Sequence, residues 1–260
     1  MTTTTTITTT TTPPTRAIVT GHTRGLGASL AEQLLARGID VLGVSRASNT
    51  ALAHRFPQAL SEAELDLADA DRLAAWLATG ALRRFVSAAA RVVLFNNAGV
   101  VQPIGPIEGQ DVLAIARAVS LNVAAPLMLA SAVAAASSDA SDRRIVHISS
   151  GAARNAYAGW SIYCATKAAL DHHARAVALD GNRALRICSL APGVVDTGMQ
   201  AEIRGADTEK FPSRARFDDL KRNGRLASPE ASAAKLIDYV LSDAFGHEPT
   251  ADIREVSAAA

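Results

Sequence analysis

The chain has 260 residues, of which 48% are hydrophobic and 20% charged, and its net charge is +1. That length and apolar share suit one α/β domain around a large buried sheet, and the near-neutral balance gives no electrostatic argument for a nucleic-acid or membrane-surface partner. Two cysteines, Cys164 and Cys188, have neither metal-ligand spacing nor a disulfide framework, which fits a reducing, cytoplasmic setting.

Residues 1–14 are almost pure threonine, with one isoleucine and two prolines. The stretch has no basic segment or apolar run of the kind a secretory signal carries. It offers little to bury, so a disordered tail is expected, with a threonine strand as the alternative. From residue 15 onward, short apolar strands alternate with helical patterns. Strands are expected at 17–19, 41–44, 92–95, 145–148 and 185–190, with a further short strand ending at Leu65. Helices are expected at 26–37, where Gly38 stops the pattern, at 73–82, at 110–137 with a kink near Asn122 and Pro126, and at 161–180. This alternation predicts an α/β fold: a single Rossmann-type, doubly wound parallel sheet with helices on both faces. No apolar run reaches the roughly 18 residues of a membrane span, and 123–136, interrupted by Pro126, reads as a packed helix.

Between the first strand and first helix lies Thr20-Gly21-His22-Thr23-Arg24-Gly25-Leu26-Gly27. Glycines let the backbone turn tightly and approach a pyrophosphate, while the helix N-terminus supplies N–H groups and the positive end of its dipole. The spacing differs from the commoner dinucleotide fingerprint, and an ordinary tight turn is the bland alternative. Further along, Ser149-Ser150 precedes Tyr163-Cys164-Ala165-Thr166-Lys167. A Tyr and a Lys four apart share one helix face. A free phenol has a pKa of about 10, and a neighbouring ammonium favours the phenolate, lowering that value toward the working range. A serine beside the phenol can hold a carbonyl or alcohol oxygen. Ser149 reads as a strand-end serine bonded to backbone, His22 as a solvated loop residue, His147 as a packed core residue, and His172 and His173 as structural or at a subunit contact. Cys164 has no histidine placed to activate it and reads as packing.

These motifs, in this order, resemble the short-chain dehydrogenase/reductase family from about Thr15 to the C-terminus. The resemblance implies an NADP-binding domain over 15–260, with a substrate lid near 198–225. It assigns cofactor contacts to Gly21, Thr23, Arg24, Gly25, Leu26 and Gly27 in the glycine turn and to Ser45 and Arg46 after the second strand. Asp66 and Leu67 fall beside the adenine, and Asn96, Ala98 and Gly99 along the adenosine side. Pro192, Gly193, Val195 and Thr197 fall over the nicotinamide, with Tyr163 and Lys167 reaching the cofactor as well. Ser150, Tyr163 and Lys167 match the catalytic set, and Asn122 matches the asparagine that completes a proton relay to the lysine, with bracing of a helix kink as its alternative role.

Cofactor choice is expected to be NADP(H). An acidic residue at the position of Ser45 would bind a ribose 2′-hydroxyl and repel a 2′-phosphate, whereas Arg46 and Arg24 can bind a phosphate with paired hydrogen bonds. Two solvated surface arginines are the alternative. Within the family, Gly159 to Lys167 and Ala191 to Gln200 resemble sepiapterin reductases and bacterial benzil reductases. The implied activity is reduction of a small-molecule ketone or 1,2-diketone, with a pterin side-chain carbonyl as the alternative. Ser150, Gly151, Tyr163, Gly193 and Asp252 are the candidate substrate contacts. Asp252 keeps the spacing from Phe245 of a pterin-anchoring aspartate, and a surface position on a frayed end is its alternative. A non-catalytic nucleotide-binding regulator would not need the retained Tyr163 and Lys167. An epimerase of the extended family would carry a longer substrate domain. No metal site is expected, and a homodimer or homotetramer through the two long helices is.

Overall fold

A computed structural model describes residues 14–256. The expected threonine-rich tail therefore lies outside the described residues except for Pro14, whose carbonyl accepts from the Ala90 and Arg91 amides.

Seven parallel strands form one sheet in the order β3-β2-β1-β4-β5-β6-β7. They are β1 (Thr15–Thr20), β2 (Asp40–Ser45), β3 (Leu60–Glu64), β4 (Arg91–Asn96), β5 (Asp142–Ile148), β6 (Leu185–Ala191) and β7 (Thr250–Asp252). The central strands are buried on both faces, so they read as continuous apolar runs rather than as alternation. The strand order reverses between β1 and β4, and that crevice is where an open parallel sheet binds its ligand.

One face of the sheet is covered by α1 (Gly25–Ala36) and α10 (Pro229–Leu241). Leu30, Leu34, Leu236 and Val240 pack there with Phe95 and Phe245. Each such side chain, fully withdrawn from water, stabilises the fold by about 1.5–3 kcal/mol. The other face is covered by α3 (Ala70–Ala78), α4 (Ala81–Val86), α6 (Ala125–Ala136) and α7 (Ser161–Ala178). Caps decide several starts: the Asn49, Asp69, Asp111 and Ser228 side chains each accept from a first-turn amide, opening α2 (Thr50–Arg55), α3, α5 (Val112–Val119) and α10.

Four differences from the sequence reading stand out. The helix expected over 73–82 is two, α3 and α4, because Gly80 takes a left-handed φ of +73° and restarts the chain. The third strand ends at Glu64, although the Leu65 amide still bonds the Ser45 carbonyl. The short α2, the 13-residue α10 and β7 are additional. The expected kink in the long helix is a π turn, Ser120–Ala124, between α5 and α6, with Pro126 in the first turn of α6. Together these make one helical run, Val112–Ala136, long and apolar enough by composition to cross a membrane. It is the crossover between β4 and β5, packed on the sheet through Leu129 and Val133 on its α6 half, while Val112, Leu113 and Val119 on its α5 half are exposed.

Candidate active site

A cavity of about 630 Å³ opens at the C-terminal ends of the strands. Of the residues the sequence reading assigned to cofactor, substrate or chemistry, all line it except Asn96 and Asn122.

The glycine turn forms its floor. Gly21 and Gly25 have φ of +70° and +55°, a region other residues enter only with strain. A side chain at Gly27 would lie 2.1 Å from the Gly21 carbonyl and 2.5 Å from Asn97 Nδ2. The end of β4 braces the turn: Asn97 Nδ2 donates to the Thr20 carbonyl at 2.9 Å, and the Asn97 and Ala98 amides donate to Thr20 Oγ1. The bracing asparagine is therefore Asn97, whereas Asn96 is buried behind the cavity, donating to the Pro126 carbonyl and facing His147 Nδ1. The pleat puts neighbours on opposite faces, so only one of the pair can look into the groove. Helix α1 opens with no side-chain cap on its amides, leaving donors free for an anion.

The reacting corner lies where β5 meets α7. Lys167 is buried and its Nζ donates to the Ile148 carbonyl at 2.8 Å. Burial lowers its pKa to about 8, with Asp171 acting in the opposite direction. Nζ stands 5.7 Å from the centre of the Tyr163 ring. The phenol does not move down as expected from the Tyr-Lys spacing. Burial pushes it up to about 12, the nearby Ser150 hydroxyl only partly countering. Ser150 Oγ accepts from the Ala152 amide at 3.1 Å, which leaves its own hydrogen for an oxygen ligand. Ser149 does not bond backbone through its hydroxyl as expected but donates to Asp171 Oδ1 at 2.8 Å. Asn122 sits in the π turn, its Oδ1 accepting from the Val100 amide and its Nδ2 donating to the Val100 carbonyl and Thr166 Oγ1. Its side chain is thus engaged in bracing, and it flanks Gly99 across from Lys167 Nζ.

The outer half is aromatic. Trp160 stacks on Phe211 at 4.5 Å between ring centres and touches Tyr157, Tyr163 and Phe217. Phe211 and Phe217 belong to the segment expected as a lid, which forms α8 (Gly198–Arg204) and α9 (Arg214–Arg222). Gly159, at φ +79°, carries the Lys210 main chain so closely that a side chain there would lie 2.2 Å from its carbonyl oxygen. Asp252 is not on a frayed end: it closes β7, is buried, and lines the cavity. Both its oxygens are taken by Arg254, through Nε at 2.9 Å and Nη2 at 2.6 Å. Those bonds hold its carboxyl below the usual range.

The family model for short chain dehydrogenases matches residues 15–208. The chain is a short-chain dehydrogenase/reductase. It is 35% identical to benzil reductase ((S)-benzoin forming) of Bacillus cereus over 88% of its length and 94% of that protein's. It is 30% identical to sepiapterin reductase of Xenopus tropicalis, over 88% and 92%. A short-chain dehydrogenase/reductase of known crystal structure from Burkholderia vietnamiensis is 58% identical, with a TM-score of 0.69 over 94% of this chain and 99% of that one.

The dehydrogenase/reductase family binds a nicotinamide cofactor, and the residues here fit one: a glycine turn closed so tightly that a side chain at Gly27 would strike the Gly21 carbonyl, and an uncapped helix start beside it. Two features escaped the sequence reading. Phe217 on the aromatic wall, and Phe211 stacked on Trp160, lie inside a charged run, where two phenylalanines are the only signal. His22 is fully buried rather than solvated, with Nε2 2.6 Å from Glu62 Oε1; the signal was Gly43 in mid-strand, which marks a close approach.

Proposed function

We propose that this dehydrogenase/reductase is an NADPH-dependent carbonyl reductase acting on ketones flanked by a second carbonyl or an aromatic ring, 1,2-diketones of the benzil type first. The observation that carries this reading is the gathering of Tyr163, Ser150 and Lys167 at the junction of the glycine-floored groove and the aromatic-walled pocket. A bound reduced nicotinamide supplies hydride to the carbonyl carbon. Ser150 holds the carbonyl oxygen and Tyr163 gives it a proton, so full negative charge never builds there. Lys167 stabilises the phenolate left behind, and Asn122 keeps the loop at Val100 in place, with a relay of protons toward Lys167 as its further role.

Arg24 and Arg46 support the choice of NADPH. Both line the cavity, both are exposed, and neither makes an ion pair within 4 Å among the described residues. Ser45 between them presents no carboxylate. Arg46→Ala is expected to raise the Kd for NADPH about tenfold; equal kcat/KM for NADPH and NADH in the wild type would sink the choice.

The diketone substrate is supported by the Arg254–Asp252 pair, which leaves no free carboxylate for a guanidine-like ring edge, and by similarity to the Bacillus reductase. The second reading, a pterin-type carbonyl, is favoured by Asp252 lining the cavity at all. A panel of diketones, pterins, quinones and simple ketones with NADPH decides between them. Diketones should give the highest kcat/KM; a pterin carbonyl reduced in preference reverses the order.

We also propose self-association through the long helices. Val112, Leu113 and Val119 on α5 and Leu179 at the end of α7 are exposed large apolar side chains, and light scattering that finds a monomer would refute it.

A further inference from the structure

Behind the ribose end of the cavity lies a buried polar knot that the catalytic reading leaves unused. The His22 ring sits on Gly43 of β2, where any side chain would lie 2.5 Å from its atoms. Across that glycine it reaches Glu62, the residue paired with Gly43 on β3. A carboxylate only accepts, so the hydrogen between them is on Nε2, at 2.6 Å. The other ring nitrogen lies 3.3 Å from Ser45 Oγ, whose own hydrogen goes to the Ala47 carbonyl at 2.8 Å. Glu62 Oε1 also accepts from the Asn49 amide at 2.6 Å, and Asn49 Nδ2 donates to the His22 carbonyl at 3.1 Å. One histidine thus ties together the glycine turn that carries Arg24, the loop that carries Arg46, and an acid on the next strand.

The acid matters because of where it stands. Ser45 lines the cavity, while His22 and Glu62 lie directly behind it and do not. A carboxylate at a ribose pocket favours a 2′-hydroxyl and repels a 2′-phosphate. Resting on the reading that the cofactor is NADPH, we propose that His22 is a specificity-determining positioning residue: it sequesters Glu62 behind Ser45 and fixes the two arginine-bearing loops, so that the pocket presents cations and no free carboxylate to the 2′-phosphate.

The test is binding of NADPH and NADH, by calorimetry, to the wild type, His22→Ala and His22→Ala/Glu62→Gln. His22→Ala should weaken NADPH about tenfold and NADH no more than about threefold. The double variant should recover at least part of the NADPH affinity, because the released carboxylate is gone; a merely structural role for the histidine gives no such recovery. A His22→Ala protein with an unchanged NADPH-to-NADH ratio overturns the proposal, as does a double variant no better than the single one. A wild type that binds both cofactors equally removes the NADPH reading and this proposal together, which separates the two failures. Should His22→Ala not fold, Gly43→Ala, which evicts the ring from its seat, must lower the same ratio or the proposal falls.

Discussion

Both ends of the parallel sheet bury charged side chains. At the end where the strands begin, Asp142 of β5 receives Arg91 Nε at 2.6 Å, Arg144 Nη2 at 2.7 Å and Arg186 Nη2 at 3.1 Å. Burial acts to raise its pKa, but the bonds from Arg144, Arg91 and Arg186 together hold it far below the ordinary carboxylate range. Arg144, wholly buried, spends its remaining donors on the Val240 and Ser242 carbonyls at the end of α10. At the end where the strands finish, Lys167 has one carbonyl partner and a pKa brought down to about 8, and Tyr163 is pushed up to about 12. Where charge is matched, it fastens elements together. Where it is left under-matched, the groups hold protons with altered affinity, which is what proton transfer needs.

The largest effect expected from breaking this contrast is at the second end. Tyr163→Phe removes one oxygen and should lower turnover on a good diketone by about 10²–10⁴, while thermal melts move little; near wild-type turnover would remove the phenol from the mechanism. At the first end the pattern inverts. Asp142→Ala leaves the buried Arg144 guanidinium without its carboxylate and should lose about 3–5 kcal/mol of stability, with kcat of the folded fraction kept. Since the Asp142 pKa is depressed when folded, its contribution is present above the unfolded value and lost as pH falls through the folded one. Urea melts at neutral and acid pH check both statements, and an unchanged midpoint at neutral pH would mean the pairing is idle.

A smaller effect is the pH profile. Lys167 is a cation below about pH 8, so kcat/KM for reduction should fall as pH rises through that region, by about tenfold per unit at most. Lys167→Arg should move the break upward, and a profile flat to pH 10 would deny the lysine its role. Smallest of all is Asp252→Asn, because Arg254 already occupies the carboxylate. KM for a neutral diketone should change less than about threefold; a selective tenfold rise for a pterin carbonyl would favour the anchor instead.

What the sequence disclosed follows the same divide. The glycine turn, the β-α alternation and the Tyr-Lys pair were legible because each depends on residues close in the chain. Asp252 looked terminal because β7 is three residues long, and its pairing with β6 at Ala191 is made across more than sixty residues. The raised pKa of the phenol was not legible either: spacing placed the ammonium near it, but burial, a property of the whole fold, sets the direction. His22 was misjudged for a like reason, since Gly43 and Glu62, which seat it, come from the next two strands.

The Lys210 carbonyl resting on Gly159 carries one more consequence. The seam beside Trp160 is fitted by a missing side chain: a methyl group at 159 would lie 2.2 Å from the Lys210 carbonyl oxygen, at a φ of +79°, so the backbone leading into Phe211 would have to move. An alanine scan reads most positions by subtraction, but here it adds material. Position 159 is therefore a closure that only the smallest residue permits, and it joins the start of the tyrosine-bearing helix to the segment that carries Phe211.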